Sequence, residues 1–341
     1  MASGRISMQD IAEAIGVSRM TVSRALRNDP KISAGTKTRV RKACEAGGYQ
    51  LDPRLSELMS HLRRTREPRS TETIAYLHLL PEKPASNPDL NEGRIFDGCR
   101  SRARELGFQL DEFPWVPSDL SVQRLAGILE SRGIRGAVLR ITGALPKGIG
   151  ELYSRIAIAT PDEVLTAFNR AVPDHFQGMS EVLKNLWKMG YRRIGFFYQD
   201  IVKDWAADLW MAAFCYRLTE LKAFHRDSIK IDCLKTPELL LQWIRKFKPD
   251  AIISHLPAFE VIELVRSEGI KIPEELGVAT VSWHPDQSNI AGVDQNLEYV
   301  GAAAIDMIAR QLTHNESGVP SFPKKMLISS SWKSGSSIRK I

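Results

Sequence analysis

The chain has 341 residues, 43% of them apolar, and a formal net charge of +7. That length and apolar content support two or three domains with real cores and exclude a disordered polypeptide. No run approaches the roughly 18 uninterrupted apolar residues of a membrane span, and the opening MASGRISMQDIAEA lacks the apolar centre of a secretory signal, so a cytoplasmic protein is expected.

The charge is unevenly placed. Residues 1–70 hold 14 Lys and Arg against 7 Asp and Glu, and taking these from totals of 47 and 40 leaves 33 of each sign in the remainder. A basic module joined to a neutral body points to a polyanion partner for the module and another partner for the body. Cys44, Cys99, Cys215 and Cys233 are far apart, with neither CxxC nor Cys/His pairing. Buried free thiols are expected rather than a zinc module or a disulfide framework. The histidines show no metal spacing, and no cofactor is expected.

In chain order, Ser7-Met8-Gln9-Asp10 fits a helix start, with Ser7 as cap and Asp10 at the positive end. Ile11, Ala12 and Ile15 share one face. Gly16, costly inside a helix by roughly 1 kcal/mol, can take a left-handed conformation that ends it. Val17 packs into the corner, and Ser18 caps a second helix from Arg19 to about Leu26, which Asn28-Asp29-Pro30 stops. A third helix, capped by Ser33, runs to about Ala46. Val22, Ala25 and Leu26 face inward with Ile11, Ile15, Ile32 and Val40, while Arg19, Met20, Ser23, Arg24 and Arg27 face out.

Two short helices joined through a glycine, the second basic outside, predict a helix-turn-helix whose second helix enters the major groove of DNA. Arg24 suits a bidentate contact to a guanine edge, and Arg19 and Met20 sample neighbouring bases. Ser18, Thr21, Ser23, Ser33 and Thr36 are short donors suited to phosphates, which fix register without reading sequence. The competing reading is a plain three-helix bundle with a charged face.

The run ISMQDIAEAIGVSRMTVSRALRNDPKISAGTKTRVRKACEAGGY resembles the lactose-repressor (LacI/GalR) family of bacterial transcription regulators over more than forty residues. The resemblance places that family's two operator-choosing residues on Arg19 and Met20 and its base-contacting arginine on Arg24.

Leu51-Asp52-Pro53 starts another helical stretch, with only Leu55, Leu58, Met59 and Leu62 apolar. So short a helix is marginal alone and should order only against something packed on that stripe. The resemblance implies a hinge helix that folds on DNA and wedges Leu58 between base pairs of the minor groove. Leu55 stands where the family generally has alanine. The alternative is a helix docked permanently on the body. Glu67 to Thr71 reads as a linker.

From residue 73 onward, β-rich apolar runs alternate with helical segments: 73–80, 108–113, 135–141 and 155–160, then 193–198, 228–234, 250–255 and 277–282. Two such series predict two α/β lobes, each with a parallel sheet covered on both faces, and a ligand cleft at the carboxyl ends of the strands. PDHFQGMSEVLKNLWKMGYRRIGFF, with Asp174 and Gly178, and GVDQNLEYVGAAAIDMIARQL extend the resemblance.

The fold expected is an N-terminal all-α helix-turn-helix domain plus an α/β two-lobed, periplasmic-binding-protein-like domain with parallel sheets. The division expected is 1–50 for DNA binding, 51–71 for hinge and linker, and 72–341 for effector binding and dimerisation. Within the last, lobe 1 covers about 72–161 and 292–324, and lobe 2 about 162–291 and 325–341. The partners implied are double-stranded operator DNA, a second copy of the chain and a small-molecule effector, a sugar or sugar-like compound.

Where the family commonly holds sugar hydroxyls with an Arg and two Asp, this chain has Trp210, Leu256 and His284. Trp205, Trp210 and Trp283 offer stacking faces, with His284 as a polar contact. The alternatives are that these tryptophans are core residues or that the pocket senses nothing. A soluble sugar-binding protein or an enzyme is the remote alternative; against an enzyme, GxGxxG after a strand, GxxxxGK[ST], GxSxG and HExxH are absent from the sequence.

Overall fold

The computed structural model describes residues 8–26, 28–47, 49, 72–81, 92–142, 145, 149–198, 205–231, 237–255 and 258–339. The expectations for Ser7, Arg27, Leu58, Cys233 and Leu256, and for the whole of 51–71, lie outside these residues.

Three helices open the chain: α1 (Met8–Ile15), α2 (Arg19–Leu26) and α3 (Ala34–Gly47). Gly16 takes φ +68°, and Val17 N–H reaches back to Ala12 O at 2.9 Å, closing α1. Arg39 of α3 donates to Ile15 O at 2.6 Å, so a cation sits at the negative end of α1. Ser18 Oγ accepts from Thr21 N–H at 3.0 Å and Ser33 Oγ from Thr36 N–H at 3.2 Å, the two caps read from sequence. Asn28, at φ +58°, ends α2. Ile11, Ala12, Val22, Ala25, Val40 and Cys44 form the small core, flanked by Ile15, Leu26, Ile32 and Tyr49.

The body holds two six-stranded sheets. The first contains β1 (Glu72–Leu79), β2 (Phe108–Trp115), β3 (Gly136–Ile141), β4 (Ala157–Thr160), β5 (Asn169–Pro173) and β11 (Lys325–Ile328) in the order β11-β5-β4-β3-β1-β2, all parallel. The second contains β6 (Ile194–Tyr198), β7 (Ile229–Ile231), β8 (Ala251–Ser254), β9 (Gly277–Thr280), β10 (Ala291–Asp294) and β12 (Ser331–Lys333) in the order β12-β10-β9-β8-β6-β7. Only β12 runs antiparallel, against β10. All eight runs expected as strands carry one; those inside the sheets are buried on both faces, whereas the edge strand β2 is only half-buried.

Helices α4 (Glu92–Glu105), α5 (Val122–Ser131), α6 (Ile149–Tyr153) and α11 (Leu297–His314) cover the first sheet; α7 (His175–Lys188), α8 (Trp205–Glu220), α9 (Pro237–Phe247) and α10 (Ala258–Ser267) cover the second. The lobe limits expected from sequence need correction. β5 and β11 belong to the first sheet, paired from Lys325 against Arg170 to Ile328 against Pro173, and β10 belongs to the second. The chain therefore crosses at 173–175, 294–297 and 328–331, about twelve residues beyond the expected limit at the first point and only a few residues beyond it at the other two. Short strands such as NRAVP and KMLI carry too little apolar periodicity to reveal their sheet.

These crossovers are knitted together. Asp174 N–H donates to Ile328 O at 2.8 Å, and Gln177 pairs with Ser330 through both ends of its amide. Asn296 Nδ2 donates to Ser329 O at 2.8 Å. Strands β5, β10 and β11 all reach the crossovers at their carboxyl ends, so both sheets turn those ends toward the space between the lobes.

Candidate nucleic-acid interface and inter-lobe cleft

In the N-terminal unit, α2 buries Val22 and Ala25 and leaves Arg19, Met20 and Arg24 exposed, Met20 at 63%. Thr21 and Ser23 are half-buried. The Ser18 and Thr21 hydroxyls bond each other at 2.8 Å, and those of Ser33 and Thr36 at 2.9 Å. Each pair spends one hydroxyl proton internally and leaves the other to donate outward. Arg24 Nε lies 3.8 Å from Asp29 Oδ2.

On the first-lobe side of the cleft, charged groups converge on the carboxyl ends of β1, β3 and β4. Glu92, at the start of α4, accepts from Tyr76 Oη at 2.9 Å and from Arg140 Nε at 2.7 Å. Arg140 also donates to Asp162, which accepts from Ile141 N–H at 2.7 Å. Burial works against the Arg140 charge, but Asp162 and Glu92 outweigh it and raise its pKa. Burial, with Glu92 beside it, raises that of Tyr76, which therefore donates to Glu92 rather than ionising.

Arg94 joins the two lobes. Its Nη2 donates to Asp294 Oδ1 at 2.8 Å, its Nε and Nη2 reach the two Glu298 carboxylate oxygens at 2.7 Å, and its Nη1 lies 3.4 Å from Trp283 O. Asp294 Oδ1 also accepts from Asn296 N–H at 2.9 Å, which fixes the turn into α11. Lys333 Nζ is 3.6 Å from Asp294 Oδ2 and 5.3 Å from the centre of the Trp283 ring.

The second-lobe wall is aromatic. His175 packs edge-on against Trp210 with ring centres 4.8 Å apart; Trp210 lies 4.7 Å from His255, and His255 lies 5.1 Å from Tyr198. Burial, aided by Lys325 and His255, lowers the His175 pKa to about 3, so its ring is uncharged at neutral pH. Among the described residues, His175 Nδ1 and Trp283 Nε1 are buried without a hydrogen-bond partner.

The five effector candidates fare differently. Trp210 is only 3% exposed and packs into the second-lobe core behind His175 and His255, which accords with the core alternative for this residue. Its helix position places its ring inward beside Ala206, Ala213 and Phe214. Trp283 is half-buried at the Arg94 junction. His284 Nδ1 accepts from Asp286 N–H at 3.2 Å and caps a short turn, which occupies that nitrogen. Trp205 begins α8, while Leu256 lies outside the described residues. Sequence reasoning missed Arg94, Arg140, Glu92, Asp162 and the His175–His255 pair. A buried salt network between distant segments leaves no local periodicity, although Asp162 and Arg140 at strand ends were a usable signal.

Comparison with known proteins agrees with this architecture. Residues 7–52 match the family described as bacterial regulatory proteins, lacI family, and residues 183–337 match a periplasmic binding protein-like domain. The HTH-type transcriptional regulator PtxS of Pseudomonas aeruginosa is 22% identical, covering 91% of this chain and 90% of its own. The sucrose operon repressor of Escherichia coli is 24% identical over 80% of this chain and 82% of its own. Among solved structures, a complex of the transcriptional regulator CelR with cellobiose superposes with a TM-score of 0.60 at 18% identity, covering 98% of this chain and all (100%) of its own. The lac repressor dimer bound to operator and the anti-inducer ONPF gives 0.58 at 16% identity, covering 98% and 99%. Residues 7–52 carry a helix-turn-helix of the lacI-family type, the two-sheet body has the architecture of a periplasmic binding protein-like domain, and the relatives matched over most of the chain are transcriptional regulators, so the chain is a transcriptional regulator similar to the lacI family.

Proposed function

We propose that the chain is a cytoplasmic repressor that binds a palindromic operator as a homodimer, residues 1–50 forming the reading unit and 51–71 the hinge. Helix α2 lies in the major groove, with Arg24 on a guanine edge, Arg19 and Met20 on neighbouring bases, and Ser18, Thr21, Ser23, Ser33 and Thr36 around phosphates. Leu58 of the hinge is the minor-groove wedge. The observation that carries this reading is the exposed Arg19, Met20 and Arg24 face of α2, rigidly set by two capped helix starts. The test is selection of duplexes from a random library by the full chain, followed by binding against salt. Sequence-specific binding whose affinity falls steeply with salt supports it; no preference among duplexes overturns it. Arg24→Ala then costs roughly 1 to 3 kcal/mol at one base position, and Leu58→Ala reduces operator bending while sparing nonspecific affinity.

A small neutral polyhydroxylated effector in the inter-lobe cleft sets that affinity. Among the described residues, the charged groups Glu92, Arg94, Arg140, Asp162 and Asp294 pair with one another, which favours a neutral ligand, while Trp283 Nε1 and His175 Nδ1 are polar atoms still to be satisfied. An effector regulates only if it binds the two lobe arrangements unequally. Thermal-shift screening of the full chain against mono- and disaccharides tests this. A saturable rise in Tm with a change in operator affinity supports it. The second reading, a cleft that senses nothing, is favoured by the deep burial of Trp210 where the family's arginine is expected, and a screen without any saturable shift selects it.

A further inference from the structure

We propose that Asp29 is a positioning residue for the recognition helix: its carboxylate stands at ion-pair distance on the Nε side of Arg24 and leaves the paired Nη groups to face a base edge. The inference rests on the reading of Arg24 as the base contact.

The carboxylate is built into its place. Asp29 N–H donates to Arg24 O at 3.0 Å, its carbonyl accepts from Ile32 N–H at 3.1 Å, and its Oδ1 accepts from Lys31 N–H at 2.9 Å. The preceding Asn28 is left-handed, at φ +58°, and its carbonyl accepts from Lys37 Nζ at 3.2 Å. The turn that ends α2 therefore folds back and sets Oδ2 3.8 Å from Arg24 Nε, with side-chain exposures of 24% and 47%.

Arginine has five N–H donors, and an ion-pair partner 3.8 Å away on the Nε side draws that edge of the guanidinium toward the turn while the four donors on Nη1 and Nη2 point away from it. A guanine O6 and N7 can be read by that fork. An arginine without a fixed neighbour also reaches phosphates, which carry no sequence information. A carboxylate beside it repels those phosphates and restrains the swing of the side chain. Asp29 thus raises specificity in two ways: it orients the reader and it disfavours attachment to any passing duplex, a repulsive element of the kind discrimination requires. An exposed ion pair adds little to stability, so its removal acts on specificity and not on folding.

The experiment uses the full chain and the duplex that the wild type selects from a random library. Affinities are measured for that duplex, for its single base-pair variants and for a scrambled duplex, with wild type, Asp29→Asn, Arg24→Ala and the double variant. Asparagine keeps an acceptor for Lys31 N–H and removes the charge; Asp29→Ser, which also accepts locally, is the second variant should asparagine destabilise the turn. The base pair read by Arg24 is the one whose discrimination Arg24→Ala abolishes. There, Asp29→Asn lowers discrimination by about 3- to 10-fold, within what one bidentate pair supplies. It raises affinity for the scrambled duplex by about 2-fold at low salt, and it changes discrimination no further when Arg24 is already alanine. Unchanged discrimination at that base pair overturns the proposal, as does an equal loss with and without Arg24, which is what a purely structural turn residue gives. If Arg24→Ala instead weakens all duplexes equally, the reading of Arg24 as a base contact falls first and the proposal falls with it.

Discussion

Arg94 and Asp294 stand 200 positions apart, yet Nη2 of one donates to Oδ1 of the other at 2.8 Å across the junction of the two lobes. Both side chains are largely buried, with exposures of 11% and 8%. Removing one partner of such a pair leaves an uncompensated charge, which costs about 3 to 5 kcal/mol in a fully buried site. Lys333 offers Asp294 a second, longer partner at 3.6 Å, so Arg94→Ala should cost about 3 kcal/mol rather than more. Urea unfolding of the full chain reads this directly. Arg94→Lys should recover little, because one ammonium fails to span Asp294 and both Glu298 oxygens.

Helices α4 and α11 approach each other through glycine. A Cβ on Gly301 would overlap the Ile95 carbonyl, and one on Gly98 would overlap the Glu298 carbonyl, both backbone atoms that move only with their helix. Gly301→Ala is therefore expected to destabilise the first lobe by about 2 kcal/mol or more, against the gain of roughly 1 kcal/mol that alanine gives in an unobstructed helix. A lower midpoint in thermal or urea unfolding is the measurement. Gly127, with open space around its Cβ position, should gain stability on the same change.

The cap at Ser18 is a third case. Its Oγ accepts from Thr21 N–H at 3.0 Å and bonds Thr21 Oγ1 at 2.8 Å, so it satisfies a backbone donor at the start of α2. Ser18→Ala should cost about 1 kcal/mol. In a unit whose core is six buried side chains, that is a large share of the stability, and unfolding of the N-terminal residues should precede that of the body. Hydrogen exchange along the chain distinguishes the two events. Ser18→Asp, which also caps, should restore protection.

What could be read from sequence divides along physical lines. The caps at Ser18 and Ser33, the turn at Gly16 and the inward Val22 and Val40 are local or periodic features, so the pattern of residues displays them. The eight strand runs are legible for the same reason: most are short apolar blocks, and 108–113 alternates apolar with polar residues as an edge strand does. Lys325–Ile328 pairs with a strand about 155 residues away and leaves no local trace, and Asn169–Pro173, although it also pairs with β4 about ten residues before it, is too short to display its sheet. The cleft chemistry was illegible for a related reason. Trp210 and His284 were singled out by residue type, but only packing reveals that one is core and the other caps a turn. Conversely, Arg94 and Glu92 were overlooked because a charged residue at a helix start reads as a solvated face until its distant partner is known.

His175 links this packing to pH. Its pKa is lowered to about 3, first by burial and then by Lys325 and His255. The unfolded chain takes up the proton near pH 6.5, whereas the folded chain resists until about pH 3. Between those values the unfolded state binds more protons, so stability rises with pH in that window and is lost as pH falls through it. Going from pH 7.5 to 5.0, this one side chain should remove about 2 kcal/mol of stability. His175→Gln keeps a polar group of similar reach without the titration, so its unfolding free energy should lose about that much less over the same interval. Urea titrations of both proteins at the two pH values give the comparison. Equal pH dependence in wild type and variant would mean that His175 is solvated in the native protein, and its place as an uncharged ring in the aromatic wall of the second lobe would have to be redrawn.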